Sequence, residues 1–193
     1  MIGAVELVPD SAELGVADES ELVRAAQVDG SSFDELYRRH VGRIYRYVRT
    51  QVEVEQDALD LTQLVFLRAL EALPRYRSSA PFGAWLFRIA RNAVIDNHRL
   101  RRPTASWDYL PARLIPESGD DIEGTSARNE SLRELSALIA DLDPYRRELI
   151  LLRFAGELTT REIATVLGKP ESTIKSDIRR TLLRMKGSTI DRG

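Results

Sequence analysis

Residues 158–185 read LTTREIATVLGKPESTIKSDIRRTLLRM, and this stretch decides the fold of the C-terminal part of the chain. Thr159 and Glu162 have the spacing of a capping box, which starts a helix. Gly168 can end that helix because glycine adopts a positive φ at no steric cost, and Pro170 suits the first turn of the next helix. The pattern predicts a short helix, a tight turn and a second helix, which together make a helix–turn–helix.

The second helix of this motif separates its residues onto two faces. The apolar face carries Ile174, Ile178, Leu182 and Met185, and the opposite face carries Ser172, Lys175, Ser176, Arg179 and Arg180. A helix with its donors on one face fits the major groove of DNA, which is about 12 Å wide. The alternative is a plain helical hairpin with a solvated basic face. We favour DNA binding because the capping, the turn and the charged face agree.

Upstream of this motif, residues 19–102 are predicted to be helical, with apolar residues at intervals of three and four. Pro74 and Pro81 bound a basic loop, PRYRSSAP, between two of these helices. The helix after the loop is apolar on one side and basic on the other. In the loop, Tyr76 lies between Arg75 and Arg77. It is either a stacking surface for an unpaired base or a hydrophobic anchor at the edge of the loop.

The net charge of −2 hides a segregation of charge along the chain. Residues 33–103 and 131–193 are net basic, as a protein that binds phosphates requires, whereas residues 1–32 and 104–130 are net acidic. We predict an all-α protein with two small helical domains, residues 19–103 and 131–188. Residues 104–130, rich in proline and glycine, are predicted to be a flexible acidic linker, and residues 1–18 a disordered acidic tail.

The composition argues against several other classes of protein. The chain has no cysteine, which removes disulfides and thiolate chemistry. No apolar run approaches the ~20 residues of a membrane span, and the first residues do not resemble a signal peptide, so we expect a cytoplasmic protein. The only histidines, His40 and His98, have neither metal-ligand nor triad spacing. We therefore predict no enzyme activity, no catalytic residue, no metal, no cofactor and no small-molecule substrate.

Four segments resemble one known family in order and in spacing. They are FDELYRRHVGRIYRYV (33–48), DALDLTQLVFLRALEAL (57–73), PFGAWLFRIARNAVIDNHRLRR (81–102) and the helix–turn–helix quoted above. Together they resemble the extracytoplasmic-function (ECF) sigma factors, promoter-specificity subunits of bacterial RNA polymerase. The resemblance implies that residues 19–103 are sigma region 2 and residues 131–188 are sigma region 4. The implied function is promoter-specific initiation of transcription, with recognition of the minus-10 and minus-35 elements and help in melting the DNA.

The resemblance also implies roles for particular residues. Docking on the β′ coiled coil of core RNA polymerase is implied for Asp57, Asp60, Leu61, Gln63, Leu64, Phe66 and Leu67. Minus-10 contacts, including capture of a flipped base, are implied for Arg75, Tyr76, Arg77, Ser78, Ser79, Arg88, Arg91, Asn92, Asp96 and Arg99. Minus-35 contacts are implied for Thr160, Arg161, Ser172, Thr173, Lys175, Ser176, Arg179 and Arg180. Further implied partners are promoter DNA, the polymerase β flap and an anti-sigma factor, and the linker would run along the polymerase towards its active centre.

Asp177 departs from the family pattern, which commonly has arginine at this position. An aspartate there either accepts a hydrogen bond from a cytosine amino group or pairs with Arg180 or Arg161 and orients them. A competing hypothesis for the whole chain is a helix–turn–helix regulator that binds duplex DNA as a dimer without polymerase. That hypothesis explains residues 131–188 but gives no role to the helix of Asp57–Leu67 or to the basic loop.

Overall fold

The computed structural model of the chain describes residues 13–30, 32–77, 79–101 and 136–190. In these ranges the regular structure is helical and contains no strand. The N-terminal domain consists of α1 (Glu13–Asp29), α2 (Phe33–Arg49), α3 (Glu55–Ala72), a short 3₁₀ turn (Leu73–Arg75) and α4 (Phe82–Arg101). In the C-terminal domain, residues 136–140 are helical and are followed by α5 (Pro144–Phe154), α6 (Thr160–Leu167) and α7 (Glu171–Ile190).

The prolines bound the helices as predicted. Pro74 lies in the 3₁₀ turn directly after α3, and Pro81 precedes α4. In the C-terminal domain Pro144 begins α5, and the Asp143 side chain caps that helix by accepting a hydrogen bond from the Arg146 amide at 3.0 Å. The all-helical fold predicted from the apolar spacing is therefore confirmed.

The N-terminal tail differs from its prediction. We expected no regular structure in residues 1–18, yet α1 begins at Glu13. Helix α1 buries Val23 and Ala26 in the core, and the Gln27 amide donates to the backbone oxygens of Leu73 at 2.9 Å and Tyr76 at 2.8 Å. Once tertiary packing fixes the middle of a helix, each further residue adds a hydrogen bond, so the helix extends through a sequence with no clear period. Residues 1–12 and the predicted linker 104–130 lie outside the described residues.

The two domains pack against each other around one hydrophobic cluster. Helices α4 and α6 form the main contact. They approach closely at Gly83, where a β-carbon would lie 3.3 Å from Oε1 of Glu162 and 3.3 Å from Cε1 of His40. The turn after α5 packs on Phe87 of α4. None of the described helices is long and apolar enough to cross a membrane.

Candidate nucleic-acid interface

The predicted helix–turn–helix is present, and its local chemistry is as the sequence indicates. The hydroxyl of Thr159 accepts from the Glu162 amide at 3.2 Å, and the Glu162 carboxylate accepts from the Thr159 amide at 2.8 Å, so the capping box is complete. Gly168 ends α6 in the left-handed conformation, with φ of 64° and ψ of 36°. The second helix, α7, begins one residue after Pro170.

Helix α7 presents its polar face to solvent. Ile174, Ile178 and Met185 are buried beneath it, while Leu182, which we expected to be buried, is 39% exposed. The exposed residues of the predicted minus-35 set are Arg161, Ser172, Lys175, Ser176, Arg179 and Arg180. Thr160 and Thr173 are half-buried, and the Thr160 hydroxyl donates to the Glu171 carboxylate at 3.0 Å, which ties the starts of α6 and α7 together.

Asp177 belongs to a hydrogen-bonded chain rather than to the open face. Its Oδ1 accepts from the Arg180 guanidinium at 2.6 Å and its Oδ2 accepts from the Tyr145 hydroxyl at 2.8 Å. Burial and the hydrogen bond to Asp177 raise the pKa of Tyr145 to about 12, so the phenol remains a donor. The Lys169 ammonium lies 4.6 Å from the centre of the Tyr145 ring. Of the alternatives left open by the sequence, the pairing with Arg180 is present.

A second basic surface lies on α4 and on the loop before it. Arg75, Arg77, Ser79, Arg88, Asn92 and Arg99 are exposed there, and Ser78 lies outside the described residues. Spacings of four and seven residues place Arg88, Asn92 and Arg99 on one face of α4. The sequence-predicted nucleic-acid surface of this domain thus consists mostly of arginines, two on the solvent side of α4 and two in the segment before it.

Three residues of the predicted minus-10 set are engaged within the protein. Tyr76 is half-buried, its hydroxyl donates to the Ala80 backbone oxygen at 2.5 Å, and its ring packs at a tilt against Trp85, with 4.9 Å between centroids. Asp96 pairs with Arg68 at 3.1 Å, and Arg91 lies 3.5 Å from the Glu148 carboxylate of the other domain. These contacts are those of a hydrophobic anchor at the edge of the loop, because the apolar side of α4 offers the Tyr76 ring a better environment than water does. A contact of Tyr76 with an unpaired base stays a prediction.

Helix α3 divides the predicted polymerase-docking residues between its two faces. Leu61 and Phe66 are only 7% and 5% exposed, so they are core residues. Asp57 pairs with Arg101 at 2.5 Å. Asp60, Gln63 and Leu67 are exposed and Leu64 is half-buried. Apolar residues on both faces of α3 made its buried side ambiguous in the sequence.

The exposed face of α3 also includes two leucines that we did not predict as docking residues. Leu59 is 41% exposed, Leu70 is 43% exposed, and both lie on the same side as Leu67, which is 59% exposed. The sequence signal for this placement is helical spacing, because Leu59 lies four residues before Gln63 and Leu70 lies three residues after Leu67. We call Leu59, Asp60, Gln63, Leu67 and Leu70 the α3 face.

An open groove of about 480 Å³ lies beside α7. Its lining includes the apolar side chains of Phe154 and Leu183, which are 57% and 60% exposed. The basic side chains of Arg153, Lys175, Arg179 and Lys186 also line it. A lining of apolar and basic side chains suits an amphipathic helix that carries acidic residues.

The chain combines a helix–turn–helix domain with an N-terminal helical domain that exposes a basic face on α4 and an apolar face on α3. These surfaces define a DNA-binding protein that also docks on another protein. Residues 36–104 match the family described as Sigma-70 region 2, and residues 132–185 match the one described as Sigma-70, region 4. The chain belongs to the ECF sigma factors, alternative sigma factors that direct RNA polymerase to specific promoters.

Named relatives support this assignment. The ECF RNA polymerase sigma factor SigC of Mycobacterium tuberculosis is 35% identical over 159 residues, covering 81% of this chain and 82% of the relative. The ECF RNA polymerase sigma factor BldN of Streptomyces coelicolor is 35% identical over 161 residues, and this match spans 60% of BldN. The solved structure of CnrH in complex with the cytosolic domain of CnrY has a TM-score of 0.66 at 24% identity, covering 91% of this chain and 99% of CnrH, which shows a shared fold.

Proposed function

We propose that this sigma factor binds core RNA polymerase through the α3 face, holds the minus-10 element on the exposed side of α4, and reads the minus-35 element with α7. The observation that carries the proposal is the division of surfaces on the N-terminal domain. Leu59, Leu67 and Leu70 expose apolar area on α3, whereas Arg88 and Arg99 expose charge on α4. An exposed apolar surface of this kind marks a site that docks on another protein.

The described geometry narrows the contacts at each element. At minus-10 we propose Arg75, Arg77, Arg88, Asn92 and Arg99, because these side chains are exposed. Tyr76 would stabilise the base-capturing loop through its hydrogen bond to Ala80 and its packing against Trp85. At minus-35 we propose Lys175, Ser176 and Arg179 as direct contacts because they project from the open face of α7.

Asp177 has a positioning role in this proposal. Its two carboxylate oxygens are engaged by Arg180 and by Tyr145, so it holds the Arg180 guanidinium against α7 and anchors it to α5. A restrained arginine loses less rotamer entropy when it binds a base or a phosphate. We therefore propose Arg180 as the DNA contact and Asp177 as the residue that orients it.

The groove beside α7 is the proposed site for a protein partner. Its apolar and basic lining fits an amphipathic acidic segment, and both the polymerase β flap and an anti-sigma factor are partners implied by the family. A segment bound there would cover Lys175 and Arg179, which are also proposed DNA contacts. An anti-sigma factor in this groove would therefore compete directly with minus-35 recognition.

We further propose that the chain acts by binding alone and that the polymerase supplies all of the chemistry. Because its proposed partners, core polymerase and promoter DNA, are cytoplasmic in bacteria, the proposed function places the chain in the cytoplasm. It needs no cofactor in this role.

The test is reconstitution with purified core polymerase. We expect transcripts with aligned start sites only when both core enzyme and this chain are present. In a pull-down, Gln63→Ala with Leu67→Ala should weaken core binding, whereas Leu100→Ala, which removes an 81% exposed leucine from α4, should not. Tight, sequence-specific binding of duplex DNA without core, together with no effect of the α3 variants, would favour the dimeric regulator instead.

A further inference from the structure

The first helix reaches the segment that carries two of the proposed minus-10 arginines. The Gln27 side-chain amide of α1 donates to the backbone oxygen of Leu73 at 2.9 Å and to that of Tyr76 at 2.8 Å. These acceptors lie 46 and 49 residues further along the chain, at the two ends of a short stretch that passes from a 3₁₀ turn to extended backbone at Tyr76. A single side-chain nitrogen therefore bridges both ends of this stretch. We call residues 73–77 the loop arm.

The loop arm follows the last turn of α3, where backbone oxygens have no partners within the helix. Pro74 has no amide hydrogen, and the Tyr76 amide donates to the Leu73 oxygen at 3.0 Å to close the 3₁₀ turn. The Gln27 amide is a second donor to the same Leu73 oxygen. Because a carbonyl oxygen accepts two hydrogen bonds, both donors are accommodated together. The turn is thus closed by a donor from another helix as well as by its own backbone.

The Tyr76 side chain is held by other groups than its backbone. Its hydroxyl donates to the Ala80 backbone oxygen at 2.5 Å, and its ring centre lies 4.9 Å from that of Trp85 and 5.8 Å from that of Phe82. Burial raises the pKa of the Tyr76 phenol, and the Glu19 carboxylate of α1 raises this pKa further, so the hydroxyl remains a donor. The side chain of Tyr76 is therefore fixed by Ala80 and α4, whereas its backbone oxygen is fixed by α1.

The residues on either side of Tyr76 point the consequence towards DNA. Arg75 lies between the two backbone oxygens that Gln27 binds, and Arg77 directly follows the second of them. Both arginines are exposed. Recognition of a base edge requires donors held close to their productive positions, and a segment that is ordered in advance loses less conformational entropy on binding. The two hydrogen bonds from Gln27 therefore act on the backbone from which both proposed minus-10 arginines project.

We propose that Gln27 is a positioning residue for base capture, and that by holding the loop arm from α1 it sets which unpaired base of the minus-10 element the loop prefers. Gln27 acts through Arg75 and Arg77 rather than by touching DNA. This role rests on the proposed function, because it concerns the loop that the proposed function assigns to the minus-10 element. It also gives α1 a part in promoter selectivity.

Helix α1 has anchors of its own, which separate this role from a general structural one. Val23 and Ala26 are buried in the core, and Oε1 of Glu19 lies 2.7 Å from Nε2 of His40 on α2. These contacts do not involve the loop arm. Loss of the Gln27 donors should therefore leave α1 in place and release only residues 73–77.

The test replaces Gln27 by methionine and by glutamate. Methionine has a similar length and no N–H donor, so it retains the packing and removes both hydrogen bonds. Glutamate has the same shape, but its carboxylate presents only acceptors to the backbone oxygens of Leu73 and Tyr76 and is repelled by them. The matched control is Val28→Met, which introduces the same methionine at the next position of α1, where the valine is 88% exposed.

Amide hydrogen exchange of the chain by itself reports on the clamp without polymerase. We expect residues 73–77 to exchange roughly tenfold faster in Gln27→Met and in Gln27→Glu, because two hydrogen bonds that oppose local opening are lost. Helices α2 and α3 should exchange as in the wild type, and Val28→Met should exchange as the wild type throughout. Unchanged exchange of the loop arm in both Gln27 variants overturns the clamp. Faster exchange throughout the N-terminal domain overturns a role confined to the loop.

Transcription by reconstituted holoenzyme, from promoters randomised in either element, reports on selectivity. We expect Gln27→Met to reduce discrimination at one or two minus-10 positions by roughly threefold to tenfold, and Gln27→Glu to reduce it at least as much. Preferences in the minus-35 element and affinity for core polymerase should stay at their wild-type values. Val28→Met should keep the wild-type preferences in both elements.

Three results would overturn the positioning role. They are an unchanged minus-10 preference despite faster exchange of the loop arm, an equal loss of preference in both elements, and a loss of activity with no change in preference. If the wild type itself gives no promoter-dependent transcript with core polymerase, the proposed function fails and the selectivity role of Gln27 fails with it. The exchange measurement still shows in that case whether Gln27 holds the loop arm, so the two failures are distinguishable.

Discussion

Replacing Asp177 by alanine should alter promoter selectivity through Arg180 rather than through a contact of its own. The substitution removes the acceptor that holds the Arg180 guanidinium at 2.6 Å and the acceptor of the Tyr145 hydroxyl at 2.8 Å. The Arg180 side chain is 68% exposed, so its ion pair contributes only about 0.2–1 kcal/mol to folding. With about 1 kcal/mol for the hydrogen bond from Tyr145, the loss of stability should be roughly 1–2 kcal/mol.

The effect on DNA recognition should be separable from that loss. A bidentate arginine–guanine contact contributes about 1–3 kcal/mol of discrimination, which is the most that Arg180→Ala can remove. Asp177→Ala should remove part of this amount, because the freed arginine must be ordered again when it binds. The variant that combines Asp177→Ala with Arg180→Ala should then discriminate between bases no worse than Arg180→Ala alone.

The assay is competitive binding of holoenzyme to promoters randomised in the upstream element, with Arg179→Ala as a neighbouring control. Asp177→Ala and Arg180→Ala should change preference at the same base position, and Arg179→Ala at another. Tyr145→Phe, which removes only the hydroxyl, should give a weaker form of the Asp177→Ala result. The reasoning is refuted if Asp177→Ala changes preference at a position that Arg180→Ala leaves unchanged, since Asp177 would then contact a base itself.

Gln63→Ala with Leu67→Ala should weaken the binding of core polymerase by roughly 30-fold or more, because it removes a 59% exposed leucine side chain and an amide from the proposed docking surface. A thermal melt should show little change, because neither side chain belongs to the core. Phe66→Ala, by contrast, should cost about 3–5 kcal/mol of folding stability because Phe66 is core, and a variant that melts like the wild type would contradict this. Thr159→Ala should cost about 0.5–2 kcal/mol in chemical denaturation through loss of the capping box, and Thr159→Ser should restore most of it. Finally, burial raises the pKa of the Glu148 carboxyl, so the packed arrangement of the two domains binds a proton more tightly than separated domains would, and acidification should favour the packed arrangement. The groups facing Glu148 are Tyr47 of α2, Gln51 just after α2 and Arg91 of α4, and small-angle X-ray scattering between pH 8 and pH 5.5 should show this trend in the wild type and not in Glu148→Gln.

The local chemistry of the helix–turn–helix was predictable from sequence because each of its signals acts over a few residues. Thr159 and Glu162 cap each other three residues apart, and Gly168 adopts the left-handed conformation directly after the helix. The exposed basic face of α7 followed from helical spacing. The family resemblance rests on such local patterns in fixed order, and for that reason the sequence alone was sufficient to identify the class of protein.

The roles of individual side chains outside that motif depended on tertiary packing. Leu61 and Leu67 are both leucines of α3, and only the position of α2 and α4 decides that the first is core and the second is exposed. Tyr76 belongs to an aromatic cluster with Phe82 and Trp85, whose members the sequence did not pair.

The sequence by itself thus determined most of the helices, the capping box of α6 and the helix–turn–helix, because these follow from interactions between residues a few positions apart. Only the tertiary structure decided that Asp177 is held by Tyr145, 32 residues away, and that Glu148 is buried by Tyr47, 101 residues away. Contacts at such separations leave no periodic signal in the chain. They form only when helices that are individually predictable pack in one particular arrangement.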